Sequence, residues 1–248
     1  MKYYALLWIA AVLTFSSCDK TEDNSKPFTI TFKAVYDGAP LVKNVDYNYD
    51  TYKVQFSRFN VFLSDIRLLK GSEEVQLSEI EYIDFTPAFA PNDNAVEVKL
   101  QVKAPEGAYT GLKMGYGVKP ALNAKQPSDF ATGHPLNQEN EYWSGWKSYI
   151  FNKIEGQGDS DGDGTPDIFM IFHCGSDRTY RDYSFDHAFT MTENANMNVE
   201  FDLKKIFITD GAWLDMTISE NQATSNEVSD IRVANILMNN FDSATTIK

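Results

Sequence analysis

The stretch Phe28-Thr29-Ile30-Thr31-Phe32-Lys33-Ala34 alternates apolar and polar side chains at every position. Strict alternation is typical of a β-strand with one buried face, because successive side chains point to opposite sides of a sheet. A longer apolar run, residues 54–69, changes phase at Arg58 and again near Ser64, which indicates β-bulges. Three further runs repeat the simple alternation: residues 96–102, 112–118 and 199–203.

Turn residues between these runs favour an antiparallel arrangement. Pro105-Glu106-Gly107 separates residues 96–102 from residues 112–118, so we expect these two runs to form an antiparallel pair. Helical periodicity is almost absent upstream of residue 231, and antiparallel neighbours are expected throughout. The sequence therefore predicts an all-β fold, an antiparallel β-sandwich with one C-terminal helix.

The predicted helix lies near the end of the chain. Its N-terminal cap is expected around Asn226, with Glu227 and Asp230 in the first turn. Apolar residues then follow a 3-4-3 spacing: Ile231, Ala234, Met238 and Phe241. Residues 119–138 contain Asn and Pro without periodicity, which predicts a long loop of the kind that often carries a functional site.

The start of the chain has the pattern of an export signal. Lys2 precedes an apolar run over residues 3–15, which ends in Ser16-Ser17 before Cys18. The run is too short to span a bilayer comfortably, so a processed signal is favoured over a transmembrane helix. A cysteine directly after small residues resembles a bacterial lipobox, in which Cys18 is lipidated and becomes the new N-terminus. Plain secretion without lipid and a buried N-terminal helix are the alternatives.

These observations divide the chain into a lipoprotein signal peptide (1–17), a polar tether (18–27) and one β-sandwich domain (28–248). The net charge is −13, and removal of the signal, with its single lysine and no acid, makes it one unit more negative. An acidic chain is a poor partner for nucleic acid or anionic lipid. We therefore expect membrane contact only through the N-terminal lipid, at the periplasmic or outer-membrane surface of a bacterial cell envelope.

A calcium-binding motif is predicted between two apolar runs. Residues 159–167 place carboxylates at loop positions 1, 3, 5 and 9, a glycine at 6 and a backbone carbonyl at 7, as oxygen ligands of calcium require. In this sequence the ligands are Asp159, Asp161, Asp163, Asp167 and the Thr165 carbonyl. Position 12 is Met170 and the flanks are β-rich, so we expect a clasp joining two strands, with an affinity of roughly 0.1 to 1 mM. The alternative is a solvated acidic turn.

The run after this loop, residues 168–174, is apolar on both faces and predicts a central, buried strand. With Cys18 lipidated, Cys174 has no partner for a disulfide and is interpreted as a small buried hydrophobe. His173 and Cys174 are adjacent, so they point to opposite faces of the strand and cannot easily share one ion. For His173 itself, a core histidine and a metal ligand both remain open.

One aromatic segment begins Tyr142-Trp143-Ser144-Gly145-Trp146-Lys147-Ser148-Tyr149. It is accompanied, in order along the chain, by residues 59–68, 106–112, 115–118 ahead of Asn123, and 172–175. Together these segments, of which the aromatic one is the most telling, resemble the MbnP-like family of bacterial exported copper-binding proteins. The resemblance covers most of the mature chain. It implies a β-sandwich, a periplasmic or surface location, and a copper site built from histidines and, in some members, an oxidised tryptophan.

Carried over residue by residue, the resemblance implies copper ligands at His173 and Trp143. The second family tryptophan falls on Gly145, with Trp146 displaced by one position, and a histidine on an earlier strand falls on Glu81. His134, in the long loop close to the tryptophans, could replace a lost ligand, whereas His187 has no firm match. Oxidation of a tryptophan would need a partner oxidase.

Two functions of different class follow. The first is an exported, lipid-anchored copper-binding protein that also holds calcium. The second is a calcium-stabilised surface module that binds a glycan or protein partner through Tyr142, Trp143 and Trp146. The sequence contains no Gly-x-Ser-x-Gly, no His-Glu-x-x-His and no phosphate-binding glycine loop, so we expect no enzymatic activity.

Overall fold

The computed structural model describes residues 24–86, 97–224 and 230–248. The predicted signal peptide, Cys18, Val96, Asn226 and Glu227 lie outside the described residues. In chain order the strands are β1 (Ser25–Tyr36), β2 (Ala39–Pro40), β3 (Tyr47–Tyr49), β4 (Tyr52–Lys70), β5 (Glu73–Asp84), β6 (Glu97–Pro105), β7 (Gly107–Tyr116), β8 (Tyr142–Trp143), β9 (Ser148–Asp159), β10 (Ile168–Gly175), β11 (Arg181–Met191), β12 (Ala195–Asp202), β13 (Ile208–Thr209), β14 (Ala212–Trp213) and β15 (Thr245–Ile247). The α-helices are α1 (Pro120–Asn123), α2 (Leu203–Ile206) and α3 (Arg232–Ala244).

Two sheets form the sandwich, as predicted. In the first, β1 is central and pairs with β12, β6 and β2, while β15 pairs with β12. The second sheet is organised around β4: β9 and then β7 pair along one of its sides, and β3 and β5 pair along the other. β10 extends the sheet beyond β9, and β11 extends it beyond β7.

The long strand β4 contains the bulges that its shifting apolar phase predicted. The register with β9 slips between Phe56 and Arg58, and the register with β7 slips between Ser64 and Arg67. Asp65, inside the second irregularity, has a positive φ of 49°. Bulges bend a strand and increase its twist, which lets one strand serve two successive partners on the same side.

Two predictions about strand pairing were wrong. β6 and β7 do not form a hairpin, because β6 pairs with β1 in the first sheet and β7 pairs with β4 and β11 in the second. The turn at 105–107 therefore crosses between sheets. The pairing is also not antiparallel throughout, since β1 and β12 run parallel from Phe28 opposite Ala195 to Val35 opposite Asp202. Alternation defines the buried face of a strand but not its partner.

β10 is also not the central, fully buried strand that its composition predicted. Phe169 is 56% exposed and Ile171 is 52% exposed, whereas their neighbours Met170 and Phe172 are buried. On its outer side, β10 meets residues 222–224, where the Ile171 N–H donates to the Gln222 carbonyl over 2.8 Å. This short segment covers the edge without covering the face that carries Phe169.

Aromatic side chains from both sheets and α3 meet in the core. Phe201 of β12 contacts Phe59 of β4, Tyr116 of β7 and Phe241 of α3, with ring centroids 6.2 to 6.3 Å apart. Ala234, Met238 and Phe241 are fully buried, which confirms the predicted apolar face of the helix. Arg232 begins the helix after Ile231, and no side chain caps its first turn.

The described part of the chain begins in the first sheet. Ser25, Lys26 and Pro27, assigned above to the tether, already pair with β6 opposite Pro105, Ala104 and Lys103. None of the described helices is long and apolar enough to cross a bilayer.

Candidate metal centre

His173 lies in a row of side chains that crosses four strands. On β10 it is directly opposite Lys153 of β9, which is opposite Asn60 of β4, which is opposite Asp84 of β5. Residues directly opposite one another share a face of the sheet. Lys153 and Asn60 are buried on this face, so the row is covered by other parts of the chain.

The imidazole of His173 faces a carboxylate. Its Nε2 lies 2.8 Å from Glu155 Oε1, and Arg58 Nη1 approaches the same oxygen over 3.5 Å. The His173 backbone N–H donates to Thr224 Oγ1 over 2.8 Å, which fixes the strand at this point. A carboxylate only accepts hydrogen bonds, so a neutral ring in this pose carries its proton on Nε2.

A second carboxylate, that of Glu141, lies over the row of residues that contains His173 and Lys153. Glu141, in a 3-10 turn over Glu139–Glu141, is 2% exposed and accepts a hydrogen bond from Tyr82 over 3.0 Å. Its Oε2 forms an ion pair with Lys153 Nζ at 2.9 Å, and Arg58 Nη2 lies 3.9 Å from its Oε1. We call these residues the His173 network: Arg58, Tyr82, Glu141, Lys153, Glu155 and His173.

Burial lowers the pKa of His173 below its ordinary value of 6.5, because the partly buried site disfavours the charged ring. Glu155 opposes this shift by its hydrogen bond and charge, while Lys153 and Arg58 reinforce it. The net direction leaves the ring neutral near pH 7. A neutral imidazole is the form that binds a metal ion.

The other residues implied by the resemblance have different partners. The His134 ring stacks on Phe130 with centroids 4.4 Å apart, and its Nδ1 accepts the Leu136 N–H over 3.1 Å. Trp143 is 46% exposed and stacks on Trp146 with centroids 4.7 Å apart. The contacts of His134 are therefore with its own loop, and those of Trp143 are with the neighbouring tryptophan.

Glu81 and His187 are separated from His173 by the geometry of the sheet. Glu81 lies on β5 opposite Leu63 of β4. Side chains alternate between the two faces of a strand, so Glu81 projects from the face opposite to the one that carries Tyr82 and Asp84. Its carboxylate accepts a hydrogen bond from Ser78 over 2.6 Å. His187 lies in the irregular part of β11, with its ring 6.2 Å from that of Phe189.

Two atoms at His173 are of the kinds that bind copper. Imidazole nitrogen and carboxylate oxygen suit copper(II), and one atom of each kind lies at this point. Cys174 cannot add a thiolate, because it is buried on the opposite face and desolvation raises its pKa to about 12. The described residues thus provide two donors, one from His173 and one from Glu155.

The aspartate loop, residues 159–167, joins β9 and β10, so it lies between two strands as predicted. Carboxylate oxygens of Asp159, Asp161 and Asp163 lie within 4.8 Å of one another. Each is oriented by nearby backbone: Asp159 accepts the Gly162 and Gly164 N–H groups over 2.8 and 2.9 Å, and Asp163 accepts the Thr165 N–H over 2.7 Å. Gly164 has a φ of +88°, which glycine adopts without strain.

Asp167 has a different role from the three converging acids. Its carboxylate accepts hydrogen bonds from the Ser160 hydroxyl and, over 2.8 Å, from the Ser160 N–H. These bonds lower the pKa of Asp167, with the hydroxyl contributing most. Asp167 therefore closes the loop at its base, where its own N–H donates to the Gly158 carbonyl over 3.0 Å.

Sequence reasoning missed four charged members of the His173 network: Arg58, Glu141, Lys153 and Glu155. One signal was available, since Lys153 and Glu155 are charges two residues apart in an otherwise apolar run and so share one face of a strand. Glu141 gave no such signal, because its contacts depend on how the long loop folds over the sheet.

Two packed sheets, a histidine–carboxylate pair on one of them and an acidic clasp at its end define the class: a β-sandwich with candidate metal sites. The chain belongs to the MbnP family, whose model matches residues 25–230. It is similar in structure to MbnP from Methylosinus trichosporium, with 13% sequence identity, a TM-score of 0.58, and coverage of 90% of this chain and 98% of that chain. At this identity the likeness shows the fold alone. A comparison with curated proteins found no match.

Proposed function

We propose that this chain is an exported, lipid-anchored, copper-binding protein of the bacterial cell envelope. Membership of the MbnP family supports the class, and the resemblance stated above implies copper. The apolar run ahead of Ser16-Ser17-Cys18 supports export and lipidation. The acidic net charge of −13 is compatible with a protein that meets cations outside the cell.

The observation that carries the copper proposal is the contact between His173 Nε2 and Glu155 Oε1 at 2.8 Å. Burial keeps the imidazole neutral, so Nε2 can bind a metal once the ring adopts the tautomer that carries its proton on Nδ1. Copper bound there would supply a redox-active or transferable ion. The protein supplies the two donors and a sheet that fixes their separation.

Arg58 is a competitor for the same carboxylate. Its Nη1 lies 3.5 Å from Glu155 Oε1, a long contact, and its side chain is 33% exposed. Lys153, by contrast, is committed to Glu141 at 2.9 Å and is almost fully buried. We infer that copper displaces Arg58 from Glu155 while the Glu141–Lys153 pair stays in place.

His134 and Trp143 are the candidates for a further ligand. The Nδ1 of His134 accepts the Leu136 N–H, so the neutral ring carries its proton on Nε2, and metal binding by this ring would require the hydrogen bond to Leu136 to break. Trp143 could contribute only after oxidation of its ring, which requires a separate oxidase as partner. Its 46% exposure makes the ring accessible to one.

Metal analysis of the protein from its native host, purified without added metal, tests the proposal. We expect bound copper in the parent and in His187→Ala, and a loss of most of it in His173→Ala. His187 is the matched control because it is a half-buried strand histidine with no carboxylate contact among the described residues. Equal copper in both variants, or none in the parent, contradicts the proposal. A mass spectrum of the Trp143 peptide reports oxidation separately.

We also propose calcium in the aspartate loop. Three carboxylates within 4.8 Å of one another, on a loop already shaped by its backbone hydrogen bonds, are the specific observation that favours it. Oxygen-only donors select a hard cation and separate this ion chemically from copper. The measurement is the calcium-dependent melt described in the Discussion.

The anchor has its own test. In the native host the parent should partition with membranes, and Cys18→Ala should release the protein or stall its processing. The lipid, rather than a protein surface, is then the only link to the bilayer. Recovery of the unaltered parent wholly in the soluble fraction rejects lipidation and leaves plain secretion.

A further inference from the structure

A cleft of about 430 Å³ opens between the turn that contains Trp146 and the turn that follows β10. It involves no member of the His173 network and no residue of the aspartate loop. Polar groups form most of its lining, together with one aromatic ring. The residues that matter for its chemistry are Asn123, Trp146, Lys147, Ser148, Asp177 and Arg178.

The floor of the cleft is a buried hydrogen-bond cluster. Ser148 is 3% exposed, and its Oγ accepts the Ser176 N–H over 2.9 Å. Asn123 is 5% exposed; its Nδ2 donates to Asp177 Oδ1 over 2.8 Å and its Oδ1 accepts the Tyr149 N–H over 2.8 Å. These contacts join three separate segments, so the cleft has a fixed shape.

Two cations stand at the rim of the cleft. Lys147 and Arg178 are exposed, and neither forms an ion pair with any residue that the structure describes. The whole chain has a net charge of −13, but the side chains around this cleft carry more positive than negative charge. Asp177 is the single carboxylate of the lining, and the amide of Asn123 already binds it.

The backbone on both sides of the cleft adopts an uncommon conformation. Lys147 has a φ of 52° and Ser176 has a φ of 77°, and neither is glycine. Left-handed backbone at residues with side chains is concentrated at ligand sites, where the surroundings hold it in place. Here it occurs at one lining residue on each side of the cleft, and the Ser176 N–H is held by Ser148 Oγ.

Trp146 supplies the aromatic surface. Its indole stacks on Trp143 at 4.7 Å with an interplanar angle of 19°, so one face is occupied and the ring is held in one orientation. Trp146 is also one of the residues that line the cleft. A planar ring next to polar groups suits a ligand that has an apolar C–H face and many hydroxyls, as a pyranose does.

We propose that this cleft binds an acidic saccharide. The pyranose ring stacks on Trp146, its carboxylate pairs with Lys147 and Arg178, and its hydroxyls meet Asp177 and the polar floor. An aromatic acid fits less well, because polar groups dominate the lining. The proposal is independent of copper, since it uses none of the copper donors.

The test is a titration of the full mature protein with trisaccharides of galacturonic acid and of mannuronic acid, followed by tryptophan fluorescence. The fully methyl-esterified trisaccharides are the matched probes, with the same rings and no charge. We expect saturable quenching by the acidic probes and at least tenfold weaker binding of the esters. Lys147→Ala and Arg178→Ala should each weaken binding at least tenfold. Trp146→Ala should do so as well, with its binding measured by calorimetry because the substitution removes the fluorescent reporter.

Lys103→Ala is the matched charge control, because Lys103 is an exposed lysine of β6 in the other sheet. It should bind the acidic probes as the parent does, and so should His173→Ala. The proposal is overturned if neither acidic trisaccharide quenches saturably, if the esters bind equally well, or if Lys103→Ala loses as much affinity as Lys147→Ala. Lys147 and Arg178 are exposed, so their variants remain informative if Trp146→Ala fails to fold.

Discussion

The aspartate loop and the His173 network both gather carboxylates, but they do so in opposite ways. The loop collects its acids within one stretch, and backbone N–H groups of the same stretch orient them. The network draws on four strands and a 3-10 turn, and its carboxylates are bound by side chains distant in sequence. The loop is largely exposed, whereas Glu141 and Lys153 are buried.

This difference separates two kinds of electrostatic stabilisation. In the loop, charges stay in water, so their mutual repulsion is weak and an ion can remove it. In the network, Glu141 and Lys153 are already paired in a poorly solvated place, so removing either one leaves the other charge buried without its close partner. We therefore expect the network to control stability and the loop to control the response to calcium.

The largest effect is expected from Glu141→Gln. The substitution keeps the shape of the side chain but leaves the Lys153 ammonium buried without its counter-ion, which lies 2.9 Å away in the parent. Breaking a buried ion pair by removing one partner costs about 3 to 5 kcal/mol. Denaturant titration of parent and variant measures the loss in the free energy of unfolding.

The control for this experiment is Lys33→Met, which removes an ion pair of similar length on the surface. Lys33 Nζ and Glu97 Oε1 are 3.0 Å apart, and both side chains are about 30% exposed. Pairs of this kind contribute roughly 0 to 1 kcal/mol. If the two variants lose equal stability, the contrast between network and surface is wrong.

The second effect is a calcium-dependent increase in the melting temperature. At about ten times its Kd, an ion that binds only the folded state stabilises it by about 1.4 kcal/mol. The melt is compared in chelator, in calcium and in magnesium, and magnesium should act less because it demands tighter octahedral geometry. Asp161→Ala and Asp163→Ala should lose the calcium response. A parent without any shift identifies the loop as a solvated acidic turn.

Arg58→Gln tests the competition for Glu155. For a unit cation about 6 Å from a bound copper(II) ion, the repulsion is about 1.4 kcal/mol at the dielectric constant of water, about 80, so its removal should make copper bind about tenfold more tightly. Competition with a chelator of known affinity measures the change. Weaker copper binding in this variant would show that Glu155 is not a copper donor.

The smallest effect concerns pH. The folded pKa of His173 is depressed below 6.5, so the unfolded chain binds more protons as the pH falls through this region. The stability that His173 contributes is therefore present above pH 6.5 and is lost as the pH falls towards its folded pKa. In chelator, between about pH 7.5 and 5.5, the parent should lose more unfolding free energy than His173→Gln. Asp167 cannot cause this difference, since its pKa is lowered from 3.8.

The parts of the fold that depend on local pattern were predictable from the sequence. Alternation identified the buried faces of β1 and β7, the shifting phase of β4 identified its bulges, and 3-4-3 spacing identified α3. The acidic spacing of residues 159–167 likewise identified a loop between strands. In each case the physical cause acts over a few residues.

The failures have one cause in common, which is that strand partners are chosen by contacts distant in sequence. The sequence of residues 96–118 alone does not predict that the turn between β6 and β7 crosses from one sheet to the other. Similarly, the apolar side chains Phe169 and Ile171 predicted burial, although the described residues cover the edge of β10 and leave both side chains more than half exposed. Glu155 as partner of His173 follows only from the register of β9 with β10.

The parallel pairing of β1 with β12 has a consequence for how the protein is made. The strand next to the N-terminal tether cannot complete its sheet until Asp202, near the other end of the chain, is available. Pairings between such distant residues form slowly, because the intervening chain must be ordered first. If the chain is exported and lipidated as proposed, a domain closed by its last strands would stay unfolded during export and would fold only after residues 195–202 have emerged.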